Sequence, residues 1–201
     1  MRCGYCHNPE LVLPERFAPI IPTEDILTFL ERRKHVLEGV AISGGEPTEQ
    51  PDLVDFIRTV KGMGYLVKLD SNGTRPSILR QLITEGLVDF IAMDVKGPLG
   101  KYMQIAARPV DLDAIRESIA IIKQLPEHEF RTTIVRDQLT VDDFEEIGQL
   151  VKGAMRYALQ NFVAAGSLVS PHFATATSFS ATDMQTAKQI MEKYVTECVV
   201  H

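Results

Sequence analysis

At 201 residues, with 45% hydrophobic and 24% charged side chains, the chain is long enough for one sizeable core and has an ordinary globular composition. Its net charge of -6, with Lys and Arg scattered among Asp and Glu, excludes the basic stripe that a nucleic-acid-binding surface requires. No apolar run approaches the roughly 18 residues of a membrane span and the opening residues lack a signal-peptide pattern, so the expectation is a single cytoplasmic domain over 1–201.

Cys3-Gly4-Tyr5-Cys6 opens the chain, and a cysteine pair at that spacing is a metal-ligand hook. Two thiolates are too few for a tetrahedral zinc, which takes about four ligands, or for an iron–sulfur cluster, which takes at least three from protein. Cys198 is the one other cysteine, at the far end. Either a third ligand folds back from the C-terminus or the chain begins after its first ligand. An odd cysteine count with two of them close in sequence fits a reducing compartment better than a disulfide framework.

Thr23 to Lys34 reads as a helix capped by Thr23, with Ile26, Leu27, Phe29 and Leu30 apolar. Val36 to Ser43 reads as a buried strand, and Asp52 to Met63 as a helix with Leu53, Phe56, Ile57 and Val60 at helical spacing. Strands at Tyr65 to Leu69, Val88 to Met93, Phe130 to Val135 and Tyr157 to Val163 then alternate with helices. The helices are Arg75 to Glu85, Leu112 to Leu125, one from Val141 after a Thr140 cap, and Thr182 to about Thr196, which carries Cys198 into its end. Alternation of this kind gives an α/β protein with parallel pairing, as an open sheet or a barrel. Six helices against five strands, with a helix first, predict that one strand is lacking before Cys3. The polar clusters Ser43-Gly44-Gly45-Glu46, Asp70-Ser71-Asn72-Gly73 and Asp94-Val95-Lys96 lie at strand exits, where such folds place ligands, and Arg131 opens the fourth strand.

With the stretches Ile42 to Thr48, Val67 to Gly73, Ala92 to Lys96 and Phe130 to Thr133, the cysteine loop resembles radical S-adenosylmethionine enzymes, in order and spacing the activating proteins of anaerobic ribonucleoside-triphosphate reductase. The resemblance runs to about Phe162. It implies a partial (β/α)6 barrel with the first strand missing. In that family three cysteines hold a [4Fe-4S] cluster that cleaves S-adenosylmethionine reductively, and the resulting radical takes a hydrogen atom from a backbone glycine of a large partner enzyme. Cys3 and Cys6 match the second and third ligands. The first would stand four residues before Cys3, so the expectation is a truncated chain that does not assemble a normal cluster.

The resemblance also assigns Ser43, Gly44, Gly45 and Glu46 to the methionine amino group of the cofactor. Asp70 and Ser71, with Met93 nearby, match positions that surround a monovalent cation in related activating enzymes, and Asn72 joins them at the same loop. Asp94 and Lys96 resemble the family's Asp-x-Lys pair, and at i and i+2 they share a strand face. Gln160 and Asn161 match a polar pair on the family's last recognised strand. Arg131 is a candidate for the cofactor carboxylate, which a guanidinium can hold bidentately. Tyr5 is either an adenine-packing ring or a hydrophobic plug. Implied partners are the anaerobic reductase and an electron donor such as flavodoxin or ferredoxin, with neither nucleic acid nor membrane. Alternatives are an activator of another glycyl radical enzyme such as pyruvate formate-lyase, a deazapurine-forming synthase, or a degenerate S-adenosylmethionine-binding module.

Overall fold

The computed structural model describes residues 1–201. Six strands, β1 (Gly39–Ile42), β2 (Leu66–Ser71), β3 (Phe90–Asp94), β4 (His128–Ile134), β5 (Arg156–Asn161) and β6 (Glu197–Val200), form one sheet in sequential order. Every neighbouring pair is parallel, and β1 and β6 do not pair, so the sheet is an unclosed, partial (β/α)6 arrangement. The chain passes through the cysteine loop and helix α1 (Thr23–Arg33) before it reaches β1.

The crossovers are α2 (Leu53–Gly62), α3 (Pro76–Thr84), α5 (Leu112–Ile122), α6 (Asp143–Leu150) and α7 (Ala181–Met191), with a short α4 (Tyr102–Ala106) inserted after β3. Their apolar faces cover the sheet because parallel strands must be buried by the connections that join them. Ile57, Val60, Leu79, Leu82, Ile115, Ile119, Phe144 and Ile147 pack with Leu69, Ile91, Phe130 and Tyr157 in one continuous core. A smaller second core gathers Cys3, Tyr5, Ile105, Val135, Leu139 and Phe162 at the end of the sheet where the strands exit.

Three expectations are corrected. The helix read from Thr182 to Thr196 stops at Met191, and a sixth strand follows, so Cys198 stands buried on β6 between Glu197 and Val199, and the five-strand count behind the expectation of a lacking first strand does not hold. A strand of only four residues, reached through a tight turn directly after a helix, leaves too short a period-2 signal to separate from the helical pattern before it. Second, Val36 and Leu37 belong to the turn after α1 and are exposed, so the first strand starts at Gly39. Third, neither threonine takes the predicted capping position: Pro22 precedes α1, and Asp142 precedes α6. Thr140 instead donates through its N–H (2.7 Å) and hydroxyl (3.1 Å) to Asp143 Oδ2, which lies inside the first turn of α6.

Candidate active site at the strand exits

Parallel pairing brings every strand exit to one end of the sheet, and register fixes which exits meet. Asp94 at the end of β3 stands directly opposite Arg131 on β4, and Ser71 at the end of β2 opposite Met93. A cavity of about 240 Å³ opens there. Its walls include Cys3, Tyr5 and Cys6, the Ser43–Glu46 turn, Asp70–Asn72, Asp94, Lys96 and Arg131, so the fold converges the cysteine loop and the strand-exit clusters on one space. Met93 is the exception. It is fully buried and its side chain lies beneath Gly73, where an added Cβ would fall 2.1 Å from Met93 Cε.

The Cys3–Cys6 segment is a tight turn, with Cys6 N–H donating to the Cys3 carbonyl at 3.1 Å. Cys3 is buried and Cys6 half-buried. Tyr5 packs edge-on against Phe162 and Phe173, with centroids 6.2 and 6.1 Å away, and burial pushes its phenol well above the ordinary range. Its hydroxyl is buried at the cavity wall with no protein partner. His7 reaches away from the thiols, to the Val163 carbonyl at 2.9 Å.

Glu46 is a tethered carboxylate. Oε1 accepts from Ser71 Oγ at 2.8 Å, from the Thr48 hydroxyl and from Thr48 N–H at 3.3 Å, while Oε2 accepts from Asn72 N–H at 2.6 Å. Asn72 in turn accepts through Oδ1 from Thr74 N–H (3.0 Å) and hydroxyl (2.7 Å), closing an Asx turn. Gly45 lies so close to the Leu11 carbonyl that a Cβ would sit 2.5 Å from its oxygen, whereas Gly44, at φ +150°, has open space around it.

The opposite wall is ionic. Asp94 accepts from Arg131 Nε at 2.5 Å on Oδ1 and from Lys96 Nζ at 3.0 Å on Oδ2. Arg131 Nη1 reaches Asp70 Oδ1 at 3.5 Å, and Lys68 Nζ lies 3.3 Å from the same oxygen. Burial disfavours the Asp94 carboxylate, but the Lys96 and Arg131 cations outweigh it and hold its carboxyl below the usual range. Burial likewise disfavours the Lys96 ammonium and is outweighed by Asp94, so Lys96 titrates well above an ordinary lysine. The hydrogen bonds of the Arg131 guanidinium run through Nε and Nη1, with Nη2 making none.

This donor set suits a zwitterionic amino-acid moiety: cations on the β3–β4 side, carboxylate and glycine backbone on the β1–β2 side, and an orphaned phenol between them. Cys3 and Cys6 are the thiols on the cavity walls, and a [4Fe-4S] cluster takes at least three protein ligands. Cys198 lines a separate groove beside β6, where burial pushes its thiol up to about 11. No three His, Cys, Asp or Glu side chains meet anywhere in the fold to hold a metal ion.

Thr48, the second anchor of Glu46, lies inside the Ile42–Thr48 stretch without a role assigned to it, and Leu11, whose carbonyl confines Gly45, has none either. Thr48 carries a signal in hindsight, as a hydroxyl two residues after a strand-exit carboxylate. Leu11 carries none. Asn161 on β5 is spent on Phe179, donating to its carbonyl and accepting its N–H, both at 3.0 Å.

Residues 1–151 match the family model of the radical SAM superfamily, and the chain belongs to that superfamily. Among individual proteins it is 34% identical over 168 residues to a provisionally named glycyl-radical enzyme activating enzyme of Methanocaldococcus jannaschii, covering 81% of this chain and 68% of that one. It is 29% identical over 101 residues to the pyruvate formate-lyase-activating enzyme of Clostridium pasteurianum, covering 48% of this chain and 41% of that one. The fold is similar to that of Streptococcus suis SuiB solved with S-adenosylmethionine, with a TM-score of 0.72 at 14% identity over 98% of this chain and 47% of that one.

Proposed function

We propose that this chain carries the S-adenosylmethionine-binding core of a radical S-adenosylmethionine activating enzyme that serves a glycyl radical enzyme, with the anaerobic ribonucleoside-triphosphate reductase as its partner. The observation that carries the reading is the convergence of the cysteine turn and the four strand-exit motifs on one cavity. Likeness to the M. jannaschii protein along most of the chain supports the activating role.

In this reading the cavity takes the methionine end of the cofactor. The carboxylate docks on Arg131 Nη2, the amino group on the Ser43–Gly45 backbone, and Asp94 keeps Lys96 and Arg131 charged and aimed at the ligand. Glu46 acts by holding the β1 and β2 exits together, and Asp70 and Ser71 border the carboxylate and any monovalent cation beside it. Tyr5 has its ring fixed in the second core and offers its hydroxyl to the ligand. Cys3 and Cys6 supply two ligands of a cluster, and these 201 residues bind S-adenosylmethionine without completing it. The electron donor is a flavodoxin or ferredoxin.

Titration calorimetry of the iron-free chain with S-adenosylmethionine tests the cavity; absence of binding, with the fold intact, sinks the reading. Anaerobic addition of iron and sulfide tests the donor count, and a stable stoichiometric [4Fe-4S] spectrum would overturn the two-ligand statement. The Clostridium likeness favours pyruvate formate-lyase as a second partner. Parallel pull-downs with the reductase and the lyase separate the two, and retention of the lyase alone would replace the first assignment.

A further inference from the structure

The segment after β5 lies beyond the part of the chain matched by the superfamily model, and it runs back over the cysteine turn. Phe162 N–H bonds to the Ile134 carbonyl at 3.1 Å, which continues the β4–β5 ladder into the strap. The chain then crosses the turn with two backbone bonds, Val169 N–H to the Cys6 carbonyl at 3.0 Å and Ser170 N–H to the Gly4 carbonyl at 2.9 Å. It closes through a single helical turn, Pro171–Thr175, and is tied down again where Arg136 N–H meets the Thr177 carbonyl at 3.2 Å.

Side chains complete the grip. Tyr5, between the two thiols in sequence, is held between Phe162 and Phe173, and His7 stacks on Phe162 at 5.4 Å. Phe173 presses so closely on Gly4 that a Cβ there would lie 2.4 Å from its Cε2. The glycine inside the cysteine pair is thus required by the strap, since backbone, ring and turn approach more closely than any side chain permits.

We propose that the strap Phe162–Ala176 sets the spacing and solvent exposure of the Cys3 and Cys6 thiols, with Phe173 as the positioning residue and Gly4 as the seat that receives it. The meaning of this device rests on the proposed reading of the two cysteines as a ligand pair. Its test does not, because it reads the thiols themselves in the absence of iron and cofactor.

The experiment is peptide-resolved alkylation of the full chain with iodoacetamide, together with amide hydrogen exchange at Val169 and Ser170. Phe173→Ala and Gly4→Ala should each raise the Cys3 alkylation rate about tenfold and release both amides, while Cys198 stays as slow as in the parent. Phe173→Leu should return Cys3 to within about threefold of the parent by refilling the seat. An unchanged Cys3 rate in both variants, or Cys3 and Cys198 rising together in both, would overturn the proposal. Failure of the unmodified chain to bind S-adenosylmethionine, with these thiol rates as expected, would instead count against the proposed function.

Discussion

Glu46 accepts the Asn72 backbone N–H at 2.6 Å, so the exit of β1 and the exit of β2 move as one piece. The same carboxylate holds Ser71 through its other oxygen. A group so fully engaged shapes the cavity wall more than it reaches for a ligand, and its anchorage fixes the Ser43–Gly45 backbone that leads into it.

Glu46→Gln replaces one carboxylate oxygen by an amide donor that must face Ser71 or Asn72, both of which are already donating. The variant should lose about 1.5–3 kcal/mol of stability, the usual contribution of a hydrogen bond to a charged group. S-adenosylmethionine affinity should fall at least about tenfold as the two exits separate. Denaturant unfolding and calorimetry read the two effects; an unaltered isotherm would show that the clasp does not shape the ligand wall.

Asp94→Asn removes the shared anion of Lys96 and Arg131. At neutral pH the loss should be about 2 kcal/mol, below the roughly 3–5 of a fully sealed pair, because the Asp94 side chain is 31% exposed to the cavity. The direction of each shift fixes the pH dependence. Asp94 is depressed, so its contribution is present above the unfolded value of about 3.9 and is lost as pH falls through the lower folded value. Lys96 is raised, so its contribution is present below the unfolded value of about 10.4 and is lost as pH climbs through the folded value. The difference between parent and variant should therefore be widest across the neutral range and close toward about pH 2. A constant difference down to that pH would contradict the ionic account.

What the sequence disclosed and what it hid divide along the range of the interactions. Leu53, Ile57 and Val60 repeat at helical spacing and announce α2; Asp94 and Lys96 do meet, at 3.0 Å, although β3 ends at Asp94 and Lys96 stands in the loop beyond it. The convergence of the polar clusters is a consequence of parallel topology alone, since every exit then lies at one end. β6 was hidden because four residues after a helix carry too little periodicity. The grip of Phe173 on Gly4 joins opposite ends of the chain, and nothing in either segment predicts its partner.

Gly45→Ala places a methyl group 2.5 Å from the Leu11 carbonyl oxygen, which is backbone and cannot rotate aside. Leu11 is exposed at the end of a single 3-10 turn, Pro9–Leu11, so that surface turn yields rather than the core. Thermal stability should change by less than about 1 kcal/mol, while S-adenosylmethionine affinity drops about tenfold because the cavity wall shifts with Leu11. The split between the two readouts is the diagnostic feature: a large loss of stability would mean that the glycine serves the core.

His128 is buried at the start of β4, donating from Nδ1 to the Leu125 carbonyl at 2.7 Å and accepting Met155 N–H on Nε2 at 3.0 Å. One ring thus joins the α5–β4 turn to the start of β5, far from the cavity. His128→Ala leaves both backbone groups unpaired and should cost about 2–4 kcal/mol in denaturant unfolding. S-adenosylmethionine affinity of the folded fraction should match the parent, and a weakened isotherm would mean that the two ends of the sheet are coupled.

The β1 side of the sheet is an unguarded edge. Gly39–Ile42 pairs on one side only, with exposed Val36 (71%) three residues before it in the chain and exposed Leu66 (57%) opposite Gly39 on β2. An open strand edge flanked by apolar side chains is a template for pairing with another chain. The protein should therefore self-associate with rising concentration, and the double variant Val36→Lys, Leu66→Lys should move that onset at least about tenfold higher. Both positions are exposed, so the unfolding free energy should stay within about 0.5 kcal/mol of the parent. Sedimentation velocity across a concentration series decides the matter: a parent that remains monomeric throughout would show that the twist of this short edge already prevents pairing.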